Sequence, residues 1–199
     1  MIVKAVSNKD KRDITINKLY PVVLKENEVI RIVDDFGGLS IYKLQDFKVY
    51  KENISSYNKR TNSLVYNLVD YATFLENYYN NEKKAVIDLS NSQLNIFEED
   101  LNSDELVELI ISKDYSSDEK VVFIEAIENK ITKHSVKVLA KYFQNVYDVE
   151  PELLLSICKL LSKYQNQEVY DLFLKYISDD MLDNGMVQNM LVEYFNNCN

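Results

Sequence analysis

Few residues in this chain are of the types that do chemistry, and their spacing limits what each could do. His134 is the sole histidine, so any Ser-His-Asp or Cys-His site has to pass through it. It sits in Lys130-Ile-Thr-Lys-His-Ser-Val136, a polar stretch between two apolar-periodic runs. A solvated turn, or a partner for a helix C-terminus, is its expected role. Cys158 lies among Leu153, Leu154, Ile157, Leu160 and Leu161, the setting of a small buried hydrophobe. Cys198 is penultimate and has no activating neighbour, and both thiols are expected to be reduced. Asp35-Phe36-Gly37 matches a kinase tripeptide, but the glycine-rich loop, strand lysine and catalytic-loop Asp and Asn of that chemistry are missing. Asp34-Asp35-Phe36-Gly37-Gly38 reads instead as a turn, its glycines supplying positive φ.

The charged residues suggest binding more than catalysis. Glu98, Glu99, Asp100, Asp104, Glu105 and Glu108 lack the ordered spacing and loop glycine of a calcium site. They are expected to complement a helix start. Strung along a helix face, they would also imitate phosphates and occupy a basic groove on another protein, which makes them the candidate protein-binding residues. Lys18, Arg31, Lys43 and Lys48, interleaved with Tyr20 and Tyr42, are the candidates for nucleic acid, since small barrels hold single strands by stacking aromatics beside a positive groove. The charge is uneven. Residues 1–62 carry twelve Lys/Arg against eight Asp/Glu, a balance of +4, and the remainder carries −13, for a total of −9. The acidic half would repel a nucleic acid held by the basic one. Tyr71, Tyr78, Tyr79, Tyr142, Tyr164, Tyr170, Tyr176 and Tyr194 are expected to be helix-packing residues, any exposed one serving as an interface anchor. No cofactor is expected.

These residues must be positioned by a 199-residue chain that is 46% hydrophobic, with three Gly, two Pro and no Trp. Those values fit a folded protein of one or two domains. The N-terminus lacks the apolar core of a signal peptide, and no stretch approaches the roughly 18 apolar residues of a membrane span, so a cytoplasmic protein is expected. The richness in Asn, Lys, Ile and Tyr is associated with low-GC bacterial and phage genomes.

The first fifty residues read as short strands: Ile2–Ser7, Leu19–Lys25, Glu28–Val33, Leu39–Leu44 and Phe47–Lys51. Pro21 belongs at an edge or bulge, because it cannot donate to a ladder. Asp13-Ile-Thr-Ile-Asn-Lys-Leu-Tyr20-Pro-Val, Ile30-Arg-Ile-Val-Asp-Asp-Phe-Gly37 and Ile41-Tyr-Lys-Leu resemble the small SH3-like barrels of uncharacterised proteins from Gram-positive bacteria and their phages. The resemblance covers about the first quarter of the chain and implies a binding scaffold, not a fixed activity.

Residues 53–62 are polar and without apolar period, as in a linker. Beyond them Leu64, Leu68, Tyr71, Ala72, Leu75 and Tyr79 recur at helical spacing, and Ala85–Leu89 is an apolar patch compatible with a short extra strand. A shift of 33 positions aligns Val121 with Leu154, Ile124 with Ile157, Leu139 with Leu172 and Phe143 with Tyr176. Leu106 and Ile110 extend the series backwards, and Val187 and Met190 extend it forwards. That is the spacing of stacked helical hairpins. Ser116-Ser-Asp-Glu119 offers a capping box and Pro151 a helix first turn.

The expected fold is therefore α+β: an SH3-like β-barrel at 1–52, a linker at 53–62, and an all-α domain of HEAT-like hairpins at 63–199, the period clearest over 104–195. The expected function is non-enzymatic protein binding, as a bacterial or phage inhibitor, immunity or adaptor protein meeting a partner, itself basic, through an acidic, Tyr-rich helical surface. The alternatives are nucleic-acid binding through the basic barrel, and an enzyme of unrecognised type.

Overall fold

The β-branched and aromatic runs of the first fifty residues form five strands: β1 (Ile2–Ala5), β2 (Leu19–Glu26), β3 (Val29–Val33), β4 (Leu39–Lys43) and β5 (Phe47–Lys51). The structure, a computed structural model, describes residues 1–8, 13–52, 57–60, 63–66, 76–80, 83–145, 151–178 and 185–198. The strands pair antiparallel in the order β4-β3-β2-β1-β5, and among the described residues no ladder joins β4 to β5. The sheet is open, where a closed barrel was expected. Nevertheless its two edge strands are separated in sequence only by a 3-10 turn, Leu44–Asp46. The four residue steps from Lys43 to Phe47 span about 14 Å at full stretch, and a flat five-stranded sheet would hold its edges roughly 19 Å apart. The sheet has to curl. Asp46 O accepts from Val6 N and Ser7 N, and Leu44 N donates to Glu28 O, which fixes the turn in place.

Curling wraps one face around a small core that includes Val3, Ile14, Val22, Ile30, Ile32 and the rings of Tyr20, Tyr42 and Phe47. Phe47 meets Tyr20 and Tyr42 edge-on, with centroids 6.2 and 5.8 Å apart. β2 is buried from Leu19 through Leu24, because its other face is covered too: Val23 packs on Ala85 and Leu89 of helix α1 (Lys83–Asp100). A strand covered on both sides reads as an unbroken apolar run. Pro21 lies in this central strand, not at an edge. It pairs with Ile2 of β1, and the β3 ladder begins only at Val22, beside a register shift between Val22 and Leu24. Its missing N–H therefore leaves no gap in that ladder.

The chain between 53 and 100 departs from expectation. Tyr57–Arg60 (β6) and Ser63–Tyr66 (β7) pair as an antiparallel hairpin, where a linker and the start of a helix were expected. Tyr57, Val65 and Tyr66 are strand-favouring residues, and β propensity there prevails over the loose helical spacing. Residues 53–56, 61–62 and 67–75 lie outside the described residues. Ala85–Leu89 is helical, since Ala85, Leu89 and Phe97 fall on one buried face of α1. That helix belongs with the sheet it covers. By its internal contacts the chain divides into two compact units, Met1–Asp100 and Leu101–Asn199.

The second unit contains helices α2 (Ser103–Ile111), α3 (Ser117–Ile127), α4 (Lys133–Gln144), α5 (Pro151–Leu161), α6 (Gln167–Ile177) and α7 (Gly185–Asn197). The 33-residue echo is carried into packing. Ser103, Leu106, Val107 and Ile110 of α2 correspond to Val136, Leu139, Ala140 and Phe143 of α4, and to Val169, Leu172, Phe173 and Tyr176 of α6. Every one of them is buried. Helix α4 packs between α2 and α6, and α5 between α3 and α7, giving two layers. Phe143 meets Phe173 and Tyr176 with ring centroids 6.0 and 5.4 Å apart. The helix starts are capped by side chains: Asn102 and Ser116 form capping boxes with Glu105 and Glu119, while Thr132 and Asn166 accept from Ser135 N and Val169 N. Each cap satisfies donors that the helix itself leaves open.

Phe143, fully buried and ringed by α6 aromatics, is the test of this packing. Phe143→Ala is expected to cost about 3–5 kcal/mol, seen as a lower urea midpoint for the helical transition. Lys137→Ala, on the exposed side of the same helix, is expected to stay within about 0.5 kcal/mol of wild type.

Candidate functional site: the tip of the β3–β4 hairpin

Two consecutive aspartates organise one end of the sheet, and they do so differently. Asp34 is consumed inside its own turn. Its Oδ1 accepts from Phe36 N (3.0 Å) and Gly38 N (2.8 Å), and its Oδ2 accepts from Ser40 Oγ (2.7 Å). Gly37 takes φ +77°, which an L side chain rarely adopts, and a Cβ on Gly38 would sit 3.0 Å from Asp34 Oδ2. Gly37 is thus required by the turn's geometry, and a side chain at Gly38 would crowd the Asp34 carboxylate that holds the turn.

Asp35 reaches across to the β1–β2 connection. Its Oδ1 accepts from Lys18 Nζ (2.6 Å) and Tyr20 OH (2.8 Å), and its Oδ2 accepts from Thr15 Oγ1 (2.8 Å). Asp35 N donates to Asp13 O (2.9 Å), and Thr15 N donates to Tyr20 OH (2.8 Å). The Lys18 and Asp35 side chains retain only 7% and 19% of their exposure. Burial pushes the Asp35 carboxyl up, but the hydrogen bonds from Lys18, Thr15 and Tyr20 and the Lys18 charge outweigh it, so the group titrates below its ordinary range. A carboxylate already holding three donors has little capacity to take a proton from a substrate or to ligate a metal. Its work here is mechanical: it ties two loops into one rigid end.

What that end displays is apolar. Phe36, between the two turn-forming carboxylates and Gly37, is 81% exposed, and Ile16, next to Thr15, is 41% exposed. Asn17 follows with φ +73°. Neither Phe36 nor Ile16 was singled out from sequence, where the turn explained the whole Asp-Asp-Phe-Gly-Gly segment. The available signal was a large aromatic at the centre of a turn, with no apolar period to give it a core position.

The residues expected to hold nucleic acid do not assemble. Lys18 is spent on Asp35, and the Tyr20 and Tyr42 rings are buried in the core, so neither offers a face for stacking. Burial, and then the charge of Asp34, push the Tyr42 hydroxyl up to about 12. Arg31 is half-buried on β3, while Lys43 and Lys48 are exposed on β4 and β5. The acidic run also breaks up. Glu98, Glu99 and Asp100 form the last turn of α1, where carboxylates oppose the helix dipole instead of complementing it. Asp104 and Glu105 do lie in the first turn of α2, with Glu105 Oε2 accepting from Asn102 N (2.8 Å), and Glu108 follows one turn later.

Tyr176 and Tyr194 are buried packing residues and Tyr79 is exposed, whereas Tyr71 lies outside the described residues. His134 is exposed in the first turn of α4, not in a loop or at a helix C-terminus. Burial raises the Cys158 thiol to about 12, which keeps it protonated and unreactive. Among the described residues, no group of three or more His, Cys, Asp or Glu is placed to hold a metal, and no helix is long and apolar enough to cross a membrane.

The depressed Asp35 carboxyl sets a pH signature. Its stabilising contribution is fully present above the unfolded-state value near 3.8 and is lost as pH falls through the lower folded value. At pH 7, Asp35→Asn is expected to lower stability by about 2 kcal/mol, since it leaves Lys18 buried without its counter-charge. The gap between wild type and variant, followed by urea unfolding, is expected to shrink steadily below about pH 4.

Comparison of the chain with protein-family models, with curated proteins and with solved structures finds no match.

Proposed function

We propose that this is a non-enzymatic protein-binding protein whose first unit presents Phe36 as an anchor for an apolar pocket on its partner, in the role of an inhibitor, immunity or adaptor protein. The observation that carries the reading is an 81%-exposed phenylalanine on a turn whose flanking residues are pinned by hydrogen bonds. Single exposed apolar side chains are ordinary on protein surfaces. This one differs in its support. Asp34 fixes the backbone on both sides of it, and Asp35 fixes the turn to the neighbouring loop. An anchor held this way loses little conformational entropy on binding, and buried aromatic anchors supply much of the energy of protein interfaces.

Two further features support the proposal. The strand order, with a 3-10 turn leading from one sheet edge to the other, favours reading the first unit as a curled SH3-like module. Such a rigid scaffold is suited to displaying binding residues on its loops. The net charge of −9 would steer the protein toward a basic partner and away from nucleic acid.

Phe36→Ser is the direct test. Its melting temperature is expected to match wild type, because the ring contributes little to the core. A protein captured by immobilised wild type should be lost, by tenfold or more, from the variant. Equal capture by both, or recovery of nuclease-sensitive material alone, would overturn the proposal.

A further inference from the structure

On β1 and β5 two lysines face each other. Lys4 and Lys48 are direct partners in the antiparallel ladder. Ala5 turns both its backbone groups away from β5, donating to Lys18 O and accepting from Asn17 N, so Lys4 turns its own toward β5. Lys4 and Lys48 are therefore a hydrogen-bonded pair, with Cα atoms about 5.5 Å apart and side chains on one face. That face is the one opposite the core, because Val3, Ala5 and Phe47, which flank the two lysines in the chain, are core residues.

Helix α1 covers the same face further along, where Val23 packs on Ala85 and Leu89, but it leaves this end open. Lys4 is half-buried and Lys48 exposed. Val6 and Tyr50, each two positions beyond one of the lysines, are 49% and 39% exposed. The end of α1 is met by a different lysine, Lys51, whose Nζ donates to Asp100 O. Among the described residues, neither the Lys4 nor the Lys48 ammonium has an ion pair or a side-chain hydrogen bond. Like charges directly opposite each other destabilise a sheet. In a chain with 32 Asp and Glu against 23 Lys and Arg, an acid at either position would instead have favoured the fold. The pair works against its own sheet, and what it suits is an anion from outside.

We propose that this end of the β1–β5 face is a second binding surface, and that its occupant is an acidic segment of a protein partner. A carboxylate seated between the two Nζ atoms replaces their mutual repulsion with two charge-assisted hydrogen bonds, and an apolar neighbour in the segment covers Val6 or Tyr50. Local charge selects this occupant. Screening confines the influence of distant acids to about 8 Å at physiological salt, so a single carboxylate is attracted although the chain as a whole is acidic. A nucleic acid, with a charge at every phosphate, meets the full −9. The surface shares no residue with the Phe36 turn, and either can fail without the other.

Titration of the 15N-labelled full chain with the capped peptide Leu-Glu-Glu-Leu tests the proposal, with Leu-Lys-Lys-Leu and an oligothymidylate as the other probes. Leu-Glu-Glu-Leu is expected to shift the amides of Lys4–Val6 and Phe47–Tyr50 above all others, and the lysine peptide to leave them unmoved. Lys48→Glu should weaken binding of the acidic peptide about tenfold or more. Because it turns a repelling pair into an attracting one, the same substitution should raise the urea midpoint. A variant that merely folds badly would lower that midpoint, so loss of binding and loss of structure are told apart. No shift at these strands, a response that Lys48→Glu leaves unchanged, a lowered midpoint, or tighter binding of the oligothymidylate at the same amides would overturn the proposal.

Discussion

One carboxylate organises the working end of the first unit. Asp35 draws Lys18, Thr15 and Tyr20 onto its two oxygens, and each donor comes from the far side of the β1–β2 connection. Without that focus a single backbone hydrogen bond, from Asp35 N to Asp13 O, would be left to tie the connection to the β3–β4 turn. Burying the Lys18 ammonium is tolerable because a counter-charge lies 2.6 Å away, and the Tyr20 hydroxyl, at the tip of a ring in the core, is satisfied by the same group. The apolar core and the polar tie are therefore joined through one side chain. Tyr20 packs edge-on to Phe47 with its ring and anchors Asp35 with its oxygen.

The covalent constraint on the sheet acts in the same direction. A short turn between opposite edges forces curvature, and curvature makes so small a sheet enclose a core at all. Helix α1 closes the other face of β2, so β2 is protected on both sides and the first unit extends to Asp100. The second unit follows a different rule. Its helices reuse one buried pattern, and repetition inside leaves the outside free to vary without disturbing the packing.

The features legible in the sequence were those set by neighbours a few residues apart. Asp34 and the two glycines declare a turn locally, and the turn is there. Ser116 with Glu119 declares a cap, and Pro151 opens a helix. The 33-residue echo was legible because burial imposes the same residue types at each return of the chain. What failed depended on partners that spacing does not reveal. Lys18 and Tyr20 looked like a ligand-binding pair, since nothing local points to Asp35, fifteen and more residues away. Ala85–Leu89 is too short an apolar run to separate helix from strand, and its packing against Val23 decided the matter. The run from Glu98 to Glu108 looked like one acidic cluster, yet the end of one helix and the start of the next fall within it, with opposite dipoles. Phe36 was visible as a residue but not as a display, because the turn explained its neighbours so completely.

The central claim is that Asp35 holds Phe36 ready before any partner arrives. Backbone 15N relaxation on the wild-type protein and on Asp35→Asn tests this most directly. In wild type, the amides of Thr15, Lys18, Phe36 and Gly37 are predicted to have order parameters near those of the strands, about 0.85, and in the variant to fall together toward about 0.6. Low values at these positions in the wild-type protein, or values that the substitution leaves unchanged, would contradict the account.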